Sequence, residues 1–240
     1  MSYNIAIDGP AGAGKSTIAK ALAKEMNLIY VDTGAMYRAM ALYLLREKVN
    51  PDDVQVVCEK CEEADITIRY EDGVQVVYLN GENVNAFLRT EEVGEMASKT
   101  SKEPVIRKKL VELQQKLAAS SDCVMDGRDI GTCVLPDADV KIYMTASSYV
   151  RAKRRYDEYT AKGESCDLEE IKADIEARDY RDMHREASPL KQAEDALLLD
   201  TSDMTIEEVV NAMIRICEEK KTTEDKKVTG NQKCTAKEDV

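Results

Sequence analysis

A short apolar run, Ile5-Ala6-Ile7, leads straight into Asp8-Gly9-Pro10-Ala11-Gly12-Ala13-Gly14-Lys15-Ser16-Thr17, and the helix-forming run Ile18-Ala19-Lys20-Ala21-Leu22-Ala23 follows. Few stretches constrain a fold as tightly. The spacing is Gly-x-x-x-x-Gly-Lys-Ser, set between a strand and a helix. Glycines let the backbone turn sharply and aim successive N–H groups inward, at the positive end of the helix dipole. Gly9, Pro10, Ala11, Gly12, Ala13, Gly14, Lys15, Ser16 and Thr17 are therefore expected to cradle phosphates. Lys15 would reach the β- and γ-phosphates, and the Ser16 hydroxyl would hold Mg²⁺. The competing reading, a turn without a ligand, sits badly with strand, loop, Lys-Ser and helix all occurring in the required order. A nucleoside triphosphate is the expected ligand.

The rest of the composition narrows the setting. At 240 residues the chain suits one well-filled α/β domain with room for a small insertion or tail. Its formal net charge of −12 would repel duplex nucleic acid unless a basic patch were hidden in the balance. The phosphate loop begins within a few residues of Met1, without a basic-then-apolar leader, and no apolar run approaches the roughly 18 residues of a membrane helix. Seven cysteines scattered among helix and strand patterns do not resemble a disulfide framework. A cytoplasmic protein is expected, with small-molecule partners rather than nucleic acid or membrane.

Along the chain, Leu28-Ile29-Tyr30-Val31 reads as a second buried strand, followed by a helix from about Ala35 to Lys48. Arg38 lies in line with Leu42 and Leu45 at helical spacing, so its guanidinium needs an anion, either a structural carboxylate or a substrate phosphate. Thr33 could be the cap of that helix or a ligand contact. A further helix to about Glu63 carries Cys58 and Cys61, which lack the second pair or histidines of a zinc site. Between Asp65 and Asn85, apolar residues alternate with polar ones around Asp72-Gly73 and Asn80-Gly81, the chemistry of antiparallel hairpins.

Two later stretches mix core and charge. Cys123-Val124-Met125-Asp126-Gly127-Arg128-Asp129 is a strand running into a charged loop, at the kind of strand end where open α/β sheets bind ligands. A helix after Val140-Lys141-Ile142-Tyr143-Met144 carries Arg151, Lys153, Arg154 and Arg155, either a solvated face or a lid over phosphates. In the helix from about Leu168 to Glu186, the seam Leu168, Ile171, Ile175 continues as Arg178, Asp182, Arg185. A face that changes from apolar to charged in this way lines a polar cavity or holds a buried salt bridge.

Five apolar runs, near residues 4–8, 28–31, 123–126, 140–145 and 196–200, alternate with helices. They predict an α/β fold of the P-loop NTPase type: a five-stranded parallel sheet with helices on both faces. One domain over 1–220 would carry the small antiparallel β insertion at about 64–90 and a mobile lid at about 150–166, with 221–240 a disordered polar tail.

Four motifs in order give the chain a specific likeness. Ile7-Asp-Gly-Pro-Ala-Gly-Ala-Gly-Lys-Ser-Thr17, Asp32-Thr-Gly-Ala-Met-Tyr-Arg38, Asp126-Gly-Arg-Asp-Ile-Gly131 and Glu176-Ala-Arg-Asp-Tyr-Arg-Asp-Met-His-Arg185 with Ser188-Pro189-Leu190 resemble the bacterial cytidylate kinases with an inserted subdomain, to about residue 220. The resemblance implies an enzyme that moves the γ-phosphoryl group of ATP to CMP or dCMP; with the Mg²⁺ expected at Ser16, a monomer acting on small nucleotides is the expectation. It implies the acceptor phosphate near Thr33, Arg38 and Arg128, the cytosine edge near Ser98, Arg107 and Asp129, and the sugar near Arg178 and Asp182, with Arg185 close by. Lys15, Arg128, Arg151, Arg155 and Arg178 would act on the moving group, and Arg154 on ATP. Another small-molecule P-loop kinase is the alternative, and a nucleotide-gated binding protein a more remote one.

Overall fold

The computed structural model describes residues 2–234. In chain order, β1 (Asn4–Asp8), α1 (Lys15–Glu25), β2 (Ile29–Asp32), α2 (Thr33–Arg46) and α3 (Val54–Glu63) come first. A hairpin region of β3 (Ile66–Glu71), β4 (Val74–Leu79) and β5 (Glu82–Asn83) precedes α4 (Glu91–Thr100) and α5 (Pro104–Ser120). Then come β6 (Cys123–Gly127), a π-helical turn (Ile130–Val134), β7 (Val140–Thr145), α6 (Ser148–Ala161), α7 (Leu168–His184), β8 (Leu197–Asp200) and α8 (Ile206–Cys234).

Five strands form one parallel sheet in the order β2-β6-β1-β7-β8. Alternation along β1 divides the core in two. Ile5 and Ile7 face α1 and α8, packing with Ile18, Leu22 and Met213, whereas Ala6 faces α2 and α5, with Met36, Met40, Ile106 and Leu110. Both faces of the sheet are thus covered, which is why its strands read as nearly unbroken apolar runs. Because β1 lies between β6 and β7, the loop leaving it opens at the point where the strand order reverses, the crevice in which such sheets bind ligands.

The insertion is antiparallel as expected, with strand order β3-β4-β5. Its turns take the predicted chemistry: Asp72-Gly73 and Asn80-Gly81 all have positive φ, at 51°, 77°, 50° and 83°, the backbone a two-residue hairpin turn demands. It has no core of its own, since Ile66, Val77 and Leu79 join the α2 and α5 side of the main core. Gln75 donates to the Asp32 carbonyl (3.2 Å) and accepts from the Asp32 N–H (2.8 Å), so the insertion occupies hydrogen-bonding groups on the outer edge of β2.

Two boundaries differ from expectation. The cap of α2 is Asp32, whose side chain accepts from Ala35 N (2.9 Å), and Thr33 is the first helical residue. The segment from 221, expected to be a disordered tail, continues α8 to Cys234. Val209, Met213 and Cys217 anchor that helix at four-residue spacing, and the Glu and Lys residues that follow are strong helix formers that extend it. Residues 235–240 lie outside the described residues.

Helices α6 and α7 form an arm with a separate small core of Ala152, Ile171 and Ile175, bordered by Tyr156, Tyr159 and Leu168. An arm with so few buried contacts should open more easily than the sheet. Ile175→Ala is expected to weaken it by about 2–4 kcal/mol, read as faster amide exchange in α6 and α7 with β1 and β6 still protected. Equal loss of protection in β1 and β6 would show that the arm opens only with the whole molecule.

Candidate active site

The phosphate loop follows from the strand geometry. At Gly9 (φ +150°) a Cβ would fall 1.9 Å from the Met144 carbonyl oxygen, so the backbone of β7 leaves room only for glycine. Gly14, in the left-handed region at φ +86°, caps α1 and turns the chain into the helix. Lys15 is buried, its Nζ donating to the Gly9 and Pro10 carbonyls at 2.7 Å each. Burial and the nearby Arg128 hold its pKa well below the usual lysine value, against the pull of Asp126 and Asp8. Ser16 Oγ donates to Asp126 Oδ2 at 2.9 Å, and Tyr30 Oη to Asp126 Oδ1 at 2.8 Å. Burial, with Asp32 close by, pushes the Asp126 pKa up. Sequence reasoning assigned this carboxylate no separate role. Its signal was an apolar strand ending in Asp, and the register that pairs Ile7 with Asp126 is what sets it beside the loop.

The arm made by α6 and α7 touches this loop directly. Asp179 accepts from Ala11 N at 3.0 Å, and Arg151 Nη1 donates to Ala11 O at 2.7 Å and to Asp179 at 2.6 Å. Arg151 Nε also donates to Ala146 O at 2.9 Å. Arg151, grouped in sequence with the closing arginines, is thus committed to holding the loop. Arg154 donates to Thr201 O at 2.6 Å and reaches Ala13 O at 3.4 Å, while exposed Arg155 donates to Tyr159 Oη at 2.9 Å.

Opposite the loop, cationic groups outnumber their partners. Arg128 Nε donates to Asp182 at 3.0 Å, and Arg38 meets Asp32 at 3.2 Å. Arg178 lies among Arg128, Arg155, Arg38 and Asp182; burial and Arg128 pull its pKa down to about 10. The Nε atoms of Arg178 and Arg38 are buried and without a hydrogen-bond partner among the described residues. Burial alone would raise the Asp182 pKa, but Arg128 and Arg178 hold it below the usual carboxylate value. The seam of α7 therefore turns from apolar arm core into this cluster, as the sequence pattern suggested.

A second acidic centre lies beside it. Asp129, 4% exposed, pairs with Arg107 through one oxygen and with Arg185 through the other at 3.5 Å. Arg185 also reaches Asp182 at 3.8 Å, linking the two centres. Thr33 is buried, its hydroxyl donating to Asp126 O at 2.7 Å, and the half-buried Ser98 on α4 has no side-chain partner among the described residues. Of the other groups weighed in the sequence, Cys61 is packed in the main core, where burial pushes its thiol up to about 11, and exposed His184 stacks on Tyr180 at 4.0 Å.

Comparison with known proteins places these features in context. The family described as cytidylate kinase matches residues 5–219. A cytidylate kinase of Lactobacillus gasseri is 50% identical over 216 residues, spanning 90% of this chain and 94% of its own length. One from Geobacillus sp. is 47% identical over 219 residues, or 91% and 98% of the two chains. A solved structure of an uncharacterized protein from Eubacterium ventriosum shares the fold with a TM-score of 0.51 at 12% identity, covering 90% of this chain and 99% of that one.

The unpartnered guanidinium nitrogens make a prediction that needs no substrate. Pyrophosphate at tenfold its Kd should add about 1.4 kcal/mol and raise Tm by about 3–6 °C. Arg178→Leu should abolish the gain; an undiminished shift in that variant would place the anion elsewhere.

Proposed function

The chain belongs to the cytidylate kinase family and transfers the γ-phosphoryl group of ATP to CMP or dCMP, and we propose that the pocket between the phosphate loop and the Arg38, Arg128 and Arg178 cluster is where it does so. The observation that carries this reading is the buried guanidinium nitrogens of Arg38 and Arg178, which have no hydrogen-bond partner among the described residues. Two phosphate-bearing nucleotides brought end to end repel each other, and this excess of positive charge offsets that repulsion. Phosphoryl transfer needs alignment and charge more than covalent help. The acceptor phosphate is already ionised, so no general base is required.

This reading gives each side chain a role. Lys15 would leave the Gly9 and Pro10 carbonyls for the donor phosphates, and Arg154, bridging the loop to the end of β8, would border ATP. Arg151 and Asp179 would keep the Ala11 peptide in place for them. Arg155 would complete the charge around the transferred group when the arm closes. Arg38 and Arg128 would take the acceptor phosphate beside Thr33, while Arg178, Asp182 and Arg185 hold the sugar. The Arg107–Asp129 pair suits a cytosine edge: the guanidinium donates to ring acceptors, and the carboxylate accepts from the exocyclic amino group. Uracil carries a carbonyl there, which the same carboxylate would repel. Ser98 supplies a further hydroxyl on that side.

Ser16 Oγ and the Asp126 carboxylate are hard oxygen donors 2.9 Å apart at the phosphate loop, a set that fits Mg²⁺. Ser16 and Asp126 would hold the ion, which would supply positive charge beside the donor phosphates. The free thiols of the described cysteines suit a reducing cytoplasm, and the proposed unit of function is the monomer with small-molecule nucleotides.

A coupled ADP-release assay over a panel of nucleoside monophosphates tests this directly. CMP and dCMP should turn over best, with UMP poorer by about 5- to 150-fold, the worth of one good base contact. Arg178→Ala should cut kcat by about 10²–10³-fold, with the fold intact by circular dichroism. Best turnover on AMP, GMP or dTMP would overturn the site assignment.

A further inference from the structure

Asp8 is a buried carboxylate that the mechanism above does not use. It ends β1, immediately before the phosphate loop, yet both its hydrogen bonds go to the other half of the site. Ile130 N donates to Oδ1 at 2.8 Å and Gly131 N donates to Oδ2 at 2.7 Å. These are the first two N–H groups of the π-helical turn, which like those of any helix start have no partner within it. The chain just before them is Arg128 and Asp129. Parallel pairing of β1 with β6 stops at Asp8 opposite Gly127, so from Arg128 on the sheet no longer fixes the backbone. Asp129 itself sits at φ −145° and ψ 25°, outside strand and helix. The Asp8 carboxylate is the anchor on its far side.

We infer that Asp8 is a positioning residue for the acceptor, holding the Arg128–Asp129 loop so that phosphate and base are gripped from one rigid piece. The inference rests on the proposed roles of those two residues. Only a carboxylate does this work at this place. Two adjacent N–H groups need two acceptor oxygens, and an asparagine would turn its own N–H₂ toward one of them. Burial, with Asp129 nearby, raises the Asp8 pKa to about 6 even though the two backbone N–H groups and Lys15 favour the charged form. A charge is costly at 6% exposure, and the loop it steadies is the return on that cost. The surroundings leave little slack: a Cβ on Gly131 would lie 3.4 Å from Asp8 Oδ2 and 3.2 Å from Lys141 Cδ.

The test compares Asp8→Asn and Asp8→Ala in the full-length enzyme, with kinetics for CMP, UMP and ATP. Displacement of the loop should lower kcat/KM for CMP by about 10- to 100-fold, shrink the CMP-to-UMP preference, and leave KM for ATP within about twofold. Asn keeps one acceptor oxygen and should be milder than Ala. Equal losses for ATP and CMP, equal damage from Asn and Ala, or an unchanged CMP-to-UMP ratio would each overturn the inference. Should neither variant fold, Gly131→Ala, which crowds the same contact, should show the same split in smaller degree, and an even loss for both substrates there would be equally fatal. Asp129→Asn serves as the control: if it leaves base preference untouched, the reading of the base site fails by itself, whatever Asp8 does.

Discussion

Unbalanced positive charge on largely buried side chains is the constraint from which the site's arrangement follows. Lys15, Arg38, Arg128 and Arg178 gather at the carboxyl ends of the sheet, where burial penalises every charge. Asp182 and Asp32 neutralise part of the excess, and Lys15 turns back onto the carbonyls of its own loop. Burial first, and the neighbouring Arg128 second, lower the Lys15 and Arg178 pKa values, and the Nε atoms of Arg38 and Arg178 have no hydrogen-bond partner among the described residues. A protein selected only for stability would have no use for such a pocket, and its cost is recovered when anions fill it.

Much of this was readable along the chain. All five parallel strands and both hairpin turns had local signals, apolar runs in one case and Asp-Gly and Asn-Gly in the other. The α7 seam announced its cavity because helical periodicity is a local property, and Arg178, Asp182 and Arg185 could be named from spacing alone. Contacts between distant segments could not. That Asp126 meets Ser16, or Asp179 meets Ala11, depends on strand register and arm placement, which no window of sequence contains. For the same reason Arg151 looked like one more cation of the closing arm until its guanidinium was found between Ala11 and Asp179. The helical start of the last segment was missed for a different cause: polar composition resembles a solvated tail, yet Glu and Lys lengthen a helix already begun.

The two additions to the sheet are joined to it in opposite ways. The arm of α6 and α7 has its own small core and meets the phosphate loop mainly through polar bonds, so it can shift without emptying the main core. The antiparallel insertion has no such independence. Its apolar side chains are part of the central packing against α2.

That difference limits how the chain could be shortened. Cutting out residues 66–83 would strip Ile66, Val77 and Leu79 from the wall of α2 and return the Asp32 N–H and C=O to solvent at a bare strand border. Such a border invites pairing with another molecule. A smaller kinase on this scaffold would therefore need a redesigned α2 surface and a new cover for β2, because excision by itself trades a finished flank for a sticky one.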